Sequence, residues 1–226
     1  MAGRPRNSPI PAARRLTTPL EEHRSSSAPG SEPTPDGRRV RRDRNRDAVV
    51  QALLELFREG NLDPSSDEVA ARSGVSARSI FRYFDDVADL AHAAIMRQQH
   101  DVAHLVRIDA APTDATATKV AALVRQRSEL FEATAMVGIA ARTRGPLHPS
   151  VAAGLSETRR QLRAQVAALF APELVALDEA AAAALLAGID LLTSFESWQL
   201  LRRDQHLDRA NAEQRLNGAL TRLLGV

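Results

Sequence analysis

The stretch Ser65-Ser66-Asp67-Glu68-Val69-Ala70-Ala71-Arg72-Ser73-Gly74-Val75-Ser76-Ala77-Arg78-Ser79-Ile80-Phe81-Arg82-Tyr83-Phe84 decides the fold. It opens as a capping box, in which the Ser65 hydroxyl accepts from the amide of Glu68 and the Glu68 carboxylate reaches back, so a short helix is predicted from about Ser66 to Arg72. Ser73-Gly74-Val75 interrupts it, and Gly74 takes a positive φ without a Cβ clash. Ser76 then caps a second short helix that ends near Phe84. Two short helices joined by a three-residue turn with glycine are the sequence form of a helix-turn-helix, with Ala70 where the helices cross and Ile80 as the apolar anchor. A plain helical hairpin has the same spacing, and the surface of the second helix separates the two. With Ile80 and Phe84 buried, that helix exposes Ser76, Ala77, Arg78, Ser79, Arg82 and Tyr83, and no acid lies between Glu68 and Asp85. Small, hydroxylic and guanidinium groups suit base edges and phosphates. The small Ala77 lets the helix approach the major-groove floor, Arg78 can fork onto a guanine, and Arg82 and Tyr83 can reach the backbone. Ser65, at the start of the first helix, joins this candidate DNA-contacting set.

Upstream, Val49, Ala52, Leu53, Leu56 and Phe57 follow the spacing of one buried helical face, closed by Gly60. This helix is expected to start near Arg41. Immediately before it lies the basic run Arg38, Arg39, Arg41, Arg42, Arg44 and Arg46, suited to phosphates or the minor groove, although such a run also serves as a solvated helix start. Residues 1 to 46 hold 11 arginines against 5 acids, an excess of +6, while the rest of the chain carries −4 of the net +2. Seven of the 12 prolines lie there too, so residues 1–37 are expected to be a disordered basic tail.

Composition narrows the function classes. Aromatics are 4% of the chain and alanine is abundant, which favours helix over sheet. With no cysteine there is no disulfide, thiolate zinc site or cysteine nucleophile. The longest apolar run, Ala180 to Ile189, is about half of a membrane span, and the N-terminus has no apolar signal region. A cytoplasmic, nucleoid-associated protein is the expectation.

Downstream every segment is helical in period. Asp85-Asp86 precedes a long connector, expected to run from Val87 to about Ile108, followed by helices over about Val120–Phe131, Ala133–Thr143, Val151–Phe170, Asp178–Arg202 and the segment around Ala212–Leu223. The fold class is all-α with about nine helices: a disordered tail (1–37), a helix-turn-helix domain (38–86) and a helical domain (87–226).

The stretch from Arg41 to Leu90 resembles the TetR family of bacterial transcriptional regulators. The matching pieces are Ala52-Leu53-Leu54-Glu55-Leu56-Phe57-Arg58-Glu59-Gly60, Val69-Ala70-Ala71-Arg72-Ser73-Gly74-Val75-Ser76 and Ile80-Phe81-Arg82-Tyr83-Phe84, closed by Leu90. Members usually place Tyr where this chain has Phe81 and Lys where it has Val87, both typical phosphate contacts; Arg82 and Tyr83 are the candidates to replace them. The helix order behind it is similar to the family's dimerisation and ligand-binding domain, and Leu192 to Arg202 looks like a segment of its actinobacterial-type members. The resemblance implies a homodimer on a palindromic double-stranded DNA operator, with a repressor released by a small organic ligand.

Other chemistry has little address in the sequence. His100 and His104 lie one helical turn apart, but no third ligand is pinned, so no metal and no cofactor is expected, and no nucleotide-binding or hydrolase motif points to an enzyme. Candidate ligand-lining residues are Met96, Arg127, Phe131, Met136, Phe195 and Trp198, each of which serves equally as core packing; Arg127 is the candidate anchor for an acidic group. The last two long helices, over about Asp178–Arg202 and around Ala212–Leu223, are expected to pair with their copies as a four-helix bundle, with Leu216 and Leu220 the candidate dimer contacts, although both faces could instead be buried within one subunit. Three readings stand together: a ligand-responsive repressor, a DNA-binding dimer without a sensor, and a helical interaction module with no DNA role.

Overall fold

Helix α1 (Pro35–Arg58) begins well before Arg41 in the computed structural model, which describes residues 35–226. Residues 35–37, expected in the tail, are helical, and the expectation for 1–34 lies outside the described residues. The arginines therefore ride on α1 rather than on an arm before it. Arginine is among the better helix formers, and Asp36 meets the positive end of the helix dipole in the first turn.

Helices α2 (Ser66–Ser73) and α3 (Ala77–Ile80) form the motif, and both bonds of the Ser65–Glu68 capping box are present. Gly74 sits at φ 70°, and a Cβ there would meet nothing within 4 Å, so conformation rather than crowding calls for glycine. Helix α3 is shorter than expected. Past Ile80 the chain closes in tight turns, with the amides of Arg82 and Tyr83 donating to the carbonyls of Ser79 and Ile80. Three aromatics in the four residues from Phe81 to Phe84 lose side-chain freedom in a helix.

Helix α4 (Val87–Asp101) is followed by a 3-10 turn at Ala103–Leu105, short of the expected Ile108. Helix α5 (Thr116–Arg144) is one continuous element where two were expected. No proline or turn pair interrupts it; its internal Gly138 instead makes room for a neighbour, since a Cβ there would lie 2.7 Å from the Phe195 ring. Helices α6 (Pro149–Leu169) and α7 (Ala171–Val175) follow.

The helix expected over Asp178–Arg202 is broken into α8 (Glu179–Leu192), α9 (Phe195–Gln199) and a π-turn over Leu200–Asp204, with a 42° bend. Thr193 Oγ1 donates to the Ile189 carbonyl and Ser194 Oγ caps the amide of Ser197. Hydroxyls that compete for backbone groups end helices in this way. Helix α10 (Arg209–Leu224) closes the chain.

Among the described residues there are ten α-helices and no strand. Two cores organise them. One gathers α1 to α4 with the last turns of α5 and the start of α6; the other gathers α5, α6, α8, α9 and α10. Among the described residues no single helix is long and apolar enough to cross a membrane.

Candidate DNA-binding face and ligand cavity

Arg38, Arg41, Arg42 and Asn45 fall at i, i+3, i+4 and i+7 and so share one face of α1. With Arg82 and Tyr83 from the turn after α3 they line a recess of about 460 Å³. Asn45 Nδ2 donates to the Tyr83 hydroxyl at 3.2 Å, and the Arg46 guanidinium lies 4.9 Å over the Phe84 ring. A concave cluster of guanidiniums with few acids is suited to phosphate. Arg41, Arg42 and Arg44 are all exposed, as are Ser65, Ser76, Arg78 and Arg82, while Ala77, Ser79 and Tyr83 are half-buried. Ser65 and Ser76 are occupied as helix caps, and Ser76 Oγ donates to Ser79 Oγ at 2.9 Å. Arg72, by contrast, is held in a bidentate pair with Glu59, both bonds 2.8 Å.

Two features of this face escaped the sequence reading. The first is Asn45, which joins Arg38, Arg41 and Arg42 in the recess because it shares their helical spacing once the arginine run is placed inside a helix. The second is Phe81, 49% exposed beside the motif, where an aromatic edge is free to meet sugar or a thymine methyl.

The larger cavity, about 840 Å³, lies among α4, α5, α6, α8 and α9. Of the six ligand candidates it receives Phe131 and Phe195, whose rings meet edge to face at 5.5 Å. The bend at Thr193-Ser194 brings Phe195 there, over Gly138. Met96 is 46% exposed on α4 and does not line the cavity. Met136 points toward Gly60, its Cε 3.8 Å from where a Cβ would stand. Trp198 is buried outside the lining and donates from Nε1 to Glu132 at 2.9 Å.

Arg127 is 1% exposed and is not part of the lining either. It donates to the side chains of Gln126 and Gln165 and to the Leu162 carbonyl, and its Nε has no partner. Burial pushes its pKa down to about 10, against the pull of Asp190. It is thus a buried cation with neutral hydrogen-bond partners.

The charged lining comes instead from residues not singled out in the sequence. Glu196 Oε1 accepts from Arg142 Nε at 2.8 Å and from Arg159 Nη2 at 2.7 Å, and Arg163 pairs with Asp190 at 3.1 Å. Arg142 also lies 3.8 Å over the Phe195 ring. Burial pushes the Glu196 carboxyl up, but the two guanidiniums outweigh it and hold its pKa at about 2. Burial lowers the pKa of Arg142, with Glu196 opposing.

Leu216 and Leu220 are corrected as dimer contacts: both are buried within the subunit, in the core that α10 forms with α5 and α8. Their stripe is the inner face of α10. The exposed apolar face nearby belongs to α8, where Ala180, Ala183, Ala184, Ala187 and Leu191 recur at helical spacing. His100 and His104 are exposed, and among the described residues no group of three or more ligand-type side chains is placed to hold a metal.

Residues 49–94 match the family model of bacterial regulatory proteins, tetR family. No curated protein matches the chain. Among solved structures, a tetR-family transcriptional regulator from Streptomyces coelicolor is similar with a TM-score of 0.64 at 19% identity, over 80% of each chain. The multidrug binding protein EbrR is similar in two complexes at 26% identity. With imidazole the TM-score is 0.53, over 82% of this chain and 96% of that one; with ethidium it is 0.51, over 82% and 99%.

Proposed function

We propose that the chain is a tetR-family protein, a reading supported by the match over residues 49–94 and by the shared fold, and that it is a sequence-specific repressor, released from a palindromic operator when a small organic molecule fills the α4–α9 cavity. The observation that carries this reading is that Gln98 lines the cavity while accepting from Arg58, in the last turn of α1, at 2.6 Å. A ligand that displaces Gln98 acts on the scaffold of the reading head itself. Arg78 reads a base edge, and Arg41, Arg42, Arg82 and Tyr83 hold phosphates. That EbrR has been captured with ethidium and imidazole supports an occupant of this kind. Ligand action requires only different affinities for two arrangements, and a 5- to 150-fold change corresponds to about 1 to 3 kcal/mol of coupling.

The protein works as a homodimer, since a palindromic site needs two reading heads about 34 Å apart. The interface is formed by the exposed small-residue face of α8 with the rim of α10. A DNA-bound regulator acts in the cytoplasm, at the nucleoid. The test is selection of bound duplexes from a random pool, followed by titration of the selected site across salt. A site with two-fold symmetry and an affinity falling steeply with salt is expected; salt-independent or absent binding overturns the reading.

A further inference from the structure

The cavity's charged residues and its apolar floor point to one ligand class: we infer that it takes an amphipathic organic anion, a carboxylate or sulfonate head on an apolar body. The inference rests on the proposal that the cavity is a ligand site at all. Three guanidiniums line it, those of Arg142, Arg159 and Arg163, against two carboxylates, Glu196 and Asp190. Arg127 adds a further cation behind the wall, donating to the carbonyl of the lining residue Leu162 at 2.9 Å, with no carboxylate bonded to it.

The pairing leaves donors over. Glu196 meets two arginines through the same oxygen, Oε1. Arg159 makes one of its bonds to it, and its side chain is 54% exposed, so most of its N–H groups are open to an incoming acceptor. Arg163, 44% exposed, is bonded to Asp190 through Nη1. An oxyanion that presents two oxygens side by side matches the fork of a guanidinium with two parallel bonds, which ammonium or neutral head groups cannot offer. A cationic head would instead face net positive charge in a partly desolvated site, where repulsion is less screened than in water.

The floor supplies the other half. Phe131 and Phe195 form an edge-to-face pair, and Ile95, Val102 and Leu130 are buried beside them. The cavity volume of about 840 Å³ is within the range of sites that enclose drug-sized ligands. The charged side chains come from α5 (Arg142), α6 (Arg159, Arg163), α8 (Asp190) and α9 (Glu196), and with Arg142 stacked 3.8 Å over Phe195 they adjoin the apolar floor, so one molecule can meet both.

Three probes of equal chain length separate charge from fit: dodecanoate, dodecan-1-ol and dodecyltrimethylammonium, each titrated calorimetrically below its aggregation threshold into the full chain. Dodecanoate is expected to bind about tenfold more tightly than the alcohol, with the ammonium weakest. Arg159→Gln should cost the anion about tenfold and leave the alcohol unchanged. Glu196→Gln, by freeing two guanidiniums, should strengthen the anion. Opposite signs from two partners in one ion pair are not what loss of structure produces. Equal binding of acid and alcohol, tightest binding of the ammonium, or indifference to Arg159→Gln overturns the anion assignment while leaving the cavity as a ligand site. Binding of none of the three overturns both.

Discussion

Arg58 Nη2 donates to Gln98 Oε1 at 2.6 Å, and Gln98 Nε2 in turn donates to the carbonyl of Ala133 at 3.4 Å. One buried amide therefore ties the end of α1 to the middle of α5 through a residue that also faces the cavity. A second tie runs from the last turn of α5, where Arg144 donates to the Leu62 carbonyl and to Asp63 Oδ1 and lies 5.0 Å over the Phe57 ring. These two polar ties add to the apolar core that α1 to α4 share with the ends of α5 and α6, and of the two it is Gln98 that lines the cavity.

Gln98→Leu keeps the volume and removes both bonds. It should leave operator affinity of the free protein within about threefold and abolish the change caused by saturating dodecanoate, as expected when a coupling element rather than a binding contact is lost. Fluorescence anisotropy of the selected duplex with and without the acid reads both quantities. A ligand effect of unchanged size in Gln98→Leu excludes this tie as the route.

On the DNA face, Arg78→Ala should cost about 1 to 3 kcal/mol and relax preference at one base position, whereas Arg42→Ala should weaken all duplexes alike and lower the salt slope by about 1. The distinction follows from placement: Arg78 is exposed at the start of α3, and Arg42 lines the recess with Arg82 and Tyr83. Uniform weakening by both variants would make Arg78 a phosphate contact.

The helix-turn-helix was legible because its signals are local: a capping box at Ser65, a positive-φ glycine at Gly74 and a buried face through Val69 and Ile80. The cavity was legible only in part. Phe131 and Phe195 stood out as rare aromatics, but the charges around them meet across separations such as 54 residues between Arg142 and Glu196, which no periodicity reports. The break at Thr193-Ser194 turned on a competition between side-chain hydroxyls and backbone that an apolar pattern does not register. Leu216 and Leu220 showed an apolar stripe but not whether the same subunit covers it.

Gly138→Ala should destabilise the protein by about 1 to 3 kcal/mol, because a methyl 2.7 Å from the Phe195 ring forces the ring or α9 to move. The same change displaces Phe195 from Phe131 and should weaken dodecan-1-ol binding. Thermal denaturation and calorimetry check the two effects; a melting temperature equal to the parent's would mean that α9 yields freely.

Glu196 has a pKa of about 2 in the fold against 4.5 ordinarily, so the fold favours its charged form. Its stabilisation is fully present above about pH 4.5 and is lost as pH falls through about 2. Since the side chain is half-exposed, solvent screening reduces it to about 1 kcal/mol. The difference in stability between the parent and Glu196→Gln, from denaturant melts, should shrink from about pH 6 to about pH 3. A constant difference would remove the ion pairs with Arg142 and Arg159 from the energetics.

The dimer surface is tested by contrasting one exposed and one buried leucine. Leu191 is 67% exposed on α8, in line with Ala180, Ala184 and Ala187, whereas Leu220 is 0% exposed in the core beneath. Small residues on a helix let a symmetry-related copy approach closely, and a long charged side chain in that stripe blocks it. Ala184→Arg with Leu191→Asp should therefore give a monomer in sedimentation with little change in melting temperature at low concentration. DNA affinity should fall by two orders of magnitude or so, because two linked half-sites no longer bind as one. Leu220→Asp should behave differently: an unpaired buried carboxylate costs about 3 kcal/mol or more, so the protein should lose thermal stability before it loses a partner. If the α8 pair remains dimeric while Leu220→Asp stays folded and becomes monomeric, α10 is the interface and the subunit core described for it must open on association.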